Sequence, residues 1–296
     1  MTLPLWAVFT VIAAFAQTVR NAMQRELTAT LGTAGATHVR FLFGFPFVVI
    51  FLTGALAVTG SPLPRPALSF WPWAMLGAGA QVAATALMLA AMGERSFVVT
   101  IAYLKTEPIQ VAVFGLVFLG DALTWAMMTA IVVATAGVVV MSTKPGGMVG
   151  GVRPTLIGLG SAALFALSAV GYRGGILSLQ LPDYVMAATV TLAVGIAAQA
   201  VLLSLYLGLR SPSVLLAILQ AWKPSLAAGL AGAVASQFWF LAFALATAAS
   251  VRTLALIEVI FAQLISRFAF GHRTSAREAS GMVLIVAGVV LLLWAY

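Results

Sequence analysis

Apolar runs of about 20 residues, the length that crosses a hydrocarbon core as a helix, recur along the chain between short polar breaks. Continuous runs differ from the period-2 alternation over about 10 residues that marks a membrane β-strand. Proline and glycine mark several breaks, as at 60–64, 144–147 and 211–212. The pattern therefore predicts an all-α protein with ten transmembrane helices. The predicted spans are 4–26, 34–58, 70–92, 96–118, 123–142, 154–177, 184–208, 223–247, 250–270 and 277–295.

Composition places these helices in lipid rather than in a soluble core. Of the 296 residues 62% are hydrophobic and 7% are charged, with a mean hydropathy of +1.11, whereas soluble domains carry about 25% charged residues. So little charge predicts a multi-pass integral membrane protein without a separate sizeable soluble domain. Cysteine is absent, and His38 and His272 are far apart, so we expect no metal site and no cofactor.

The net charge of +8 comes from basic residues that are scattered singly at helix ends. This distribution is typical of residues that set membrane topology, and it does not indicate a nucleic-acid partner. The partners we expect are the lipid bilayer and a small-molecule substrate, with a homodimer left open.

The second half of the chain repeats the first with a constant shift of 151 residues. The pairs that this shift aligns include Glu107 with Glu258, Gly120 with Gly271, Gly137 with Gly288, Trp71 with Trp222 and Gly44 with Gly195. The repeat predicts two five-helix domains, 1–145 and 154–296. Because five is odd, the second copy enters the membrane in the opposite sense, which gives the inverted repeat of many secondary transporters. The alternative is a duplication that says nothing about transport.

Short motifs add a resemblance to a known family. The segment 119–124 followed by Gly137, and the segment 270–275 followed by 281–289, resemble the end of an EamA domain. The segment 105–108 and the Arg40-Phe41 pair resemble other parts of that domain. The similarity covers the whole chain as two EamA units and implies a member of the drug/metabolite transporter superfamily. The chain departs from the family pattern at Asp121, His272 and Val259.

Two signals disagree about the orientation of the termini. The loops after odd-numbered spans hold ten basic residues, and those after even-numbered spans hold only Arg65 and Arg173. Basic residues favour the cytoplasmic side, so this bias predicts that both termini lie outside. The family resemblance implies cytoplasmic termini. The ten residues are Arg20, Arg25, Arg95, Lys144, Arg153, Arg210, Lys223, Arg267, Arg273 and Arg277.

Ionisable residues inside the spans are the first candidates for a site. Such a residue costs about 2.5–3.5 kcal/mol at the centre of a membrane helix, and it usually faces an interior cavity. Glu107 and Glu258 lie near the middle of equivalent spans, and Pro108 is expected to bend the helix beside Glu107. The functional interpretation is that one glutamate takes up protons or faces a substrate ammonium. The alternative is a permanent ion pair, with Arg40 as a candidate partner of Glu107.

Further polar residues are candidates for the walls of the same cavity. Arg40 and Lys105 could attract a substrate carboxylate. Side chains spaced three and four residues apart form a polar stripe on the first span. The alternative for the stripe and for the aromatic residues is helix packing. The stripe consists of Gln17, Arg20, Asn21 and Gln24, and the other candidates are Tyr103, Gln81, Tyr172 and Trp239.

These features predict a secondary transporter rather than an enzyme. It would export small amino-acid-like or amphipathic metabolites by alternating access, with proton coupling, across a bacterial inner membrane. The sequence contains no phosphate-binding GxxxxGK[ST] loop and no HExxH or GxSxG motif. The alternative is a membrane-embedded enzyme or lipid-handling protein, which the isolation of the seven acidic residues along the chain disfavours.

Overall fold

The computed structural model describes residues 4–60, 62–94, 103–142, 152–261, 263–264 and 275–295. These residues form helices joined by turns and short loops, without a strand among them, which confirms the all-α prediction. The α-helices are α1 (Leu5–Leu42), α2 (Phe45–Thr59), α3 (Phe70–Glu94), α4 (Glu107–Phe114), α5 (Trp125–Ser142), α6 (Val152–Ser178), α7 (Tyr184–Arg210), α8 (Pro212–Gln220), α9 (Trp222–Leu245), α10 (Ala248–Leu254) and α11 (Ala276–Ala295). A π-helical turn, Gly115–Leu119, follows α4, and a 3-10 turn, Ala255–Ile257, follows α10.

In the part of the chain that the structure describes, five helical stretches are long and apolar enough to cross a membrane. Two further apolar helices, Glu107–Leu119 and Trp125–Met141, are shorter. The predicted spans 96–118 and 250–270, the His272 motif and the basic residues Arg95, Lys144, Arg267 and Arg273 lie wholly or partly outside the described residues. The five long stretches are Glu26–Thr59, Thr155–Ser178, Tyr184–Arg210, Trp222–Leu245 and Ala276–Ala295.

A break at Gly32 separates the first two predicted spans inside α1. Gly32 has φ 65° and ψ 174°, a left-handed value of φ that favours glycine. The shift of 151 residues carries Gly32 onto Asp183, the N-cap of α7, whose carboxylate accepts from the backbone N–H of Val185 at 2.8 Å. The chain therefore changes direction at equivalent positions, once by a positive φ and once by a capped helix start.

Two details differ from the predicted spans. The span 34–58 is interrupted between α1 and α2, because Pro46 has no N–H and its ring clashes with the carbonyl four residues earlier. Helix α8, Pro212–Gln220, falls where we expected a loop. With nine residues it is too short to produce a membrane-length apolar run.

The chain divides into two compact units. Unit 1 comprises Met1–Ala78 and Gly171–Leu245, and unit 2 comprises Gly79–Val170 and Ala246–Tyr296. Each unit takes segments from both predicted domains, 1–145 and 154–296. Packing is therefore organised differently from the sequence repeat.

Unit 1 is built around the long helix α1, which packs along α9, while α7 packs against α2 and α9. An apolar cluster buries residues of α1, α7, α8 and α9 together. Close approach of helices depends on small residues here: a Cβ atom on Gly229 would lie 2.6 Å from the carbonyl carbon of Phe43. The cluster consists of Leu27, Leu31, Ala36, Val39, Leu207, Ile218 and Ala228.

Unit 2 contains an antiparallel pair formed by α5 and α11, two helices that the shift of 151 residues relates to each other. A Cβ atom on Gly137 would lie 2.7 Å from the carbonyl oxygen of Gly281 and the amide nitrogen of Ile285. A Cβ atom on Gly288 would lie 2.6 Å from the amide nitrogen of Ala134. The shift of 151 residues relates 137 to 288 and 134 to 285. Each helix therefore places its glycine against the equivalent backbone position of the other helix.

The same two helices begin with equivalent caps. The Thr124 hydroxyl accepts from the backbone N–H of Met127 at 3.2 Å. At the equivalent position, Ser275 and Glu278 form a reciprocal capping box. Hydroxyl side chains in both copies thus satisfy backbone donors that a helix start leaves without a partner.

Candidate functional site

The chain in unit 2 breaks immediately before Glu107. The backbone N–H of Thr106 donates to the carbonyl of Tyr103 at 3.1 Å, and α4 begins at Glu107. The expected bend beside Glu107 is a complete break, in which residues 105 and 106 form a turn and a new helix starts. Pro108 lies in the first turn, where the missing N–H leaves no intrahelical hydrogen bond unmade.

A second break occurs at the equivalent place in α10. The helix gives way to the 3-10 turn Ala255–Ile257, and Glu258 follows directly. A 3-10 stretch inside a longer helix often marks a hinge. Glu107 and Glu258 thus each follow a local departure from regular α-helix.

Two ion pairs connect these segments in a crossed arrangement. The guanidinium of Arg252 donates from Nε to Oε1 and from Nη2 to Oε2 of Glu107, each at 2.7 Å. The ammonium of Lys105 donates to Oε1 of Glu258. Each segment supplies one cation and one carboxylate, and each carboxylate pairs with the cation of the other segment. We call these four residues the charge tetrad.

The tetrad corrects one expectation and adds a residue. Arg252, rather than the candidate Arg40, holds the carboxylate of Glu107 through both of its oxygens. The sequence marks Arg252 as ionisable about one turn inside a span, but no periodicity links it to Glu107. The separation of Lys105 and Glu107 onto different helix faces agrees with their separate partners.

The tetrad lines a small cavity with Leu104, Pro108, Ala255 and Leu256. The cavity measures about 20 Å³, enough for one water molecule but not for a metabolite. Six of the lining residues form three pairs that the shift of 151 residues relates. The cavity therefore lies where the two copies of the sequence repeat meet in unit 2. These pairs are Leu104 with Ala255, Lys105 with Leu256 and Glu107 with Glu258.

The tetrad is partly accessible and formally neutral. The exposed fractions of the side chains are 13% for Glu107, 21% for Arg252, 19% for Lys105 and 18% for Glu258. Two cations and two carboxylates cancel, which limits the cost of placing them in a poorly hydrated site. Water that reaches the cavity can exchange protons with the groups that titrate.

Two other candidates in unit 2 lie outside this lining. The hydroxyl of Tyr103 shares a hydrogen bond with the Thr155 hydroxyl at 3.0 Å, and its ring packs against Gly158 of α6. Gln81 on α3 is half-buried, and its backbone carbonyl accepts from the Thr85 hydroxyl at 2.9 Å. Tyr103 therefore ties the residues before the tetrad to α6.

Unit 1 brings two arginines of the candidate set together. The stems of Arg20 and Arg40 approach Gly232 of α9, whose Cβ position would lie 3.4 Å from Cδ of Arg20 and 3.3 Å from Cγ of Arg40. Arg20 is only 6% exposed and donates from Nη2 to Oδ1 of Asn21 at 2.7 Å. The absence of a side chain at Gly232 leaves room for both stems on one face of α9.

The polar stripe of the first span makes contacts inside unit 1. The indole Nε1 of Trp239 donates to Oε1 of Gln17 at 3.2 Å. The amide of Gln24 donates to the carbonyl of Ala36 at 2.9 Å, across the break at Gly32. Asn21 is exposed.

Tyr172, the last candidate in unit 1, is 4% exposed. Its ring contacts Gly77 and Gly195 and lies 4.7 Å from the ring of Phe240. The unit thus contains a second polar and aromatic cluster, which we call the arginine cluster. It consists of Gln17, Arg20, Arg40 and Trp239, with Tyr172 close enough for the charge of Arg40 to act on its phenol.

The described residues contain no group of three histidine, cysteine, aspartate or glutamate side chains that could hold a metal ion. No protein-family model and no curated protein matches the chain. A crystal structure of a protein shares the fold, with a TM-score of 0.73 and 19% sequence identity, over 98% of this chain and 99% of the other. At that identity the likeness concerns the fold alone.

Proposed function

We propose that the chain is a secondary transporter of the EamA type, with ten transmembrane helices arranged as two inverted five-helix repeats. It exports small amino-acid-like or amphipathic metabolites by alternating access, coupled to protons, as a multi-pass protein of a bacterial inner membrane. The tetrad at two equivalent helix breaks is the observation that carries this proposal.

Helix breaks beside charged residues are what a transporter site requires. In many transporters, discontinuous helices form the substrate and ion sites at the interface between repeats. The breaks before Glu107 and before Glu258 fall at equivalent positions, and both glutamates line one cavity. A purely structural duplication has no need for charges at this place, where they are costly.

The α5–α11 pair supports the inverted arrangement. Equivalent helices that pack antiparallel, with contacts that repeat under exchange, are related by an approximate two-fold axis across the pair. Such an axis is the relation expected between inverted repeats.

The roles of the residues follow from their chemistry. A glutamate of the tetrad takes up the proton, since carboxylates can lose and regain charge in the cycle. Arg40 offers a planar fork that can attract a substrate carboxylate. Lys105 offers a point charge that can also attract a carboxylate. The cavity of about 20 Å³ belongs to a closed state, and opening at the breaks admits the solute.

Flux measurements on the purified chain in liposomes test the proposal. The probes are labelled leucine, phenylalanine and lysine, and an amphipathic quaternary ammonium cation, each with and without a pH gradient. We expect at least one probe to move faster than in protein-free liposomes and to respond to the gradient. Folded protein that moves none of these probes overturns the proposal.

A matched pair of variants tests the site. Glu107→Gln should abolish the flux, whereas Glu278→Gln should preserve it, because glutamine can also serve in a capping box. Unchanged flux and unchanged pH dependence in folded Glu107→Gln would remove Glu107 from the mechanism.

A further inference from the structure

The two ion pairs of the tetrad differ in the chemistry of their cations. Arg252 holds Glu107 through two parallel hydrogen bonds, each at 2.7 Å. A guanidinium stays protonated in proteins, and its planar fork matches both oxygens of a carboxylate. Glu107 also lies in the first turn of α4, where the helix dipole favours a negative charge. These features make the pair of Glu107 and Arg252 a geometrically well-defined contact between the two segments.

In the pair of Lys105 and Glu258 the ammonium donates to Oε1 of the carboxylate, and the charge of Arg252 also acts on Glu258. An ammonium is a point charge on a flexible stem, and it does not fix the plane of the carboxylate. Both partners of this pair can change protonation state, whereas in the other pair only the carboxylate can. The 3-10 turn Ala255–Ile257 before Glu258 offers a hinge at which the pair can separate.

The described helices that pack against the 3-10 turn before Glu258 carry few charged side chains. Helix α5 carries no titratable side chain between Trp125 and Ser142. On α11, Arg277 donates to the carbonyl of Val140 at 3.0 Å, and Glu278 caps Ser275. On α10 the charged residue is Arg252, and on α4 it is Glu107.

We infer that Glu258 is the residue that exchanges protons, while the pair of Glu107 and Arg252 is a permanently ionised anchor between α4 and α10. This inference rests on the proposed function and divides the roles within the same site. A proton from water binds the Glu258 carboxylate, which becomes a neutral acid. Lys105 keeps its own proton and loses its counter-ion, so its ammonium is available to a substrate carboxylate.

The charge of the site follows from this step. Proton uptake takes the tetrad from neutral to a single positive charge, and a bound carboxylate returns it to neutral. When the carboxylate leaves, Glu258 releases its proton and pairs with Lys105 again. The anchor stays closed throughout and keeps the two broken helices in register.

Infrared titration of the full chain in lipid tests the assignment without any substrate. A protonated carboxylic acid has a C=O stretching band whose frequency differs between glutamate and aspartate. On acidification we expect such a band to shift in Glu258→Asp and to stay unchanged in Glu107→Asp. Both variants keep a carboxylate, so the formal charge of the tetrad is the same as in the unaltered protein. A band that shifts in Glu107→Asp, or in neither variant, overturns the inference.

Exchanging the cations provides a second measurement. Lys105→Arg should move the onset of the Glu258 band to lower pH, because a guanidinium holds the carboxylate ionised. Arg252→Lys should not abolish that band. An unchanged onset in Lys105→Arg contradicts the role given to Lys105.

Proton uptake at Glu258 without flux of any probe would reject the transport function alone. Proton-coupled flux with the infrared band assigned to Glu107 would reject this inference alone.

Discussion

Gly137 of α5 and Gly288 of α11 make equivalent contacts on the two sides of one helix pair. Cβ atoms at these positions would lie 2.7 Å and 2.6 Å from backbone atoms of the facing helix. Helices without side chains at the crossing can approach closely, and in lipid such packing is a main source of association. The relation between the two positions is the shift of 151 residues found in the sequence.

We expect Gly137→Ala and Gly288→Ala each to destabilise the protein by about 1–3 kcal/mol, the usual cost of overpacking. Backbone atoms surround both positions and cannot rotate away. The measurement is the free energy of unfolding in detergent or lipid. Gly79→Ala is the matched control, since no atom lies within 4 Å of its Cβ position. Equal stability of all three variants would contradict the described contact.

Removal of Arg252 should expose the anchor role of its pair with Glu107. Arg252→Gln leaves a carboxylate without its cation in a poorly hydrated site, and we expect a loss of about 2–4 kcal/mol in the free energy of unfolding. The double variant Arg252→Gln with Glu107→Gln should recover part of this loss. A double-mutant cycle measures the coupling, which we expect to be about 1–3 kcal/mol. If the losses in the free energy of unfolding of the two single variants simply add up in the double variant, the two side chains do not interact.

The sequence predicted the helices better than their interruptions. Apolar runs indicated α3, α5, α7 and α11 to within a few residues, because a membrane-length apolar run has few alternative structures. Helix α8 was missed because nine residues produce too short a run. Pro108 indicated an interruption beside Glu107, but the pattern of apolar residues continues across it and does not show that α4 starts anew there.

The sequence predicted which residues belong to the site but not which of them form ion pairs. The cost of ionisable groups in hydrocarbon selected Glu107, Glu258 and Lys105, and the repeat related the two glutamates. Helical periodicity assigns a residue to a face but does not say which helix meets that face. The ion pair of Glu107 and Arg252 therefore follows from the folded structure, although the sequence marks both residues as ionisable inside spans.

The orientation of the chain provides a prediction that concerns topology alone. The excess of basic residues after odd-numbered spans predicts that both termini lie outside the cytoplasm. Alkaline phosphatase fused after Tyr296 should therefore be active, since it folds only outside the cytoplasm. Fluorescence from a green fluorescent protein at the same position, without phosphatase activity, would reverse the assignment and favour the orientation that the family resemblance implies.

Gly232 offers a test of the arginine cluster that leaves the ions of unit 2 untouched. In Gly232→Ala the new methyl group would lie 3.3 Å from Cγ of Arg40 and 3.4 Å from Cδ of Arg20. These stems are flexible and can move, so we expect the free energy of unfolding to change by no more than about 0.5 kcal/mol. The guanidinium groups must shift with their stems.

If the cluster holds a substrate carboxylate, KM should rise by about 3- to 10-fold with little change in kcat, because binding is weakened in ground and transition state alike. Gly54→Ala, with no atom within 4 Å of its Cβ position, is the control. Equal KM values for Gly232→Ala and Gly54→Ala would place substrate recognition away from Arg20 and Arg40.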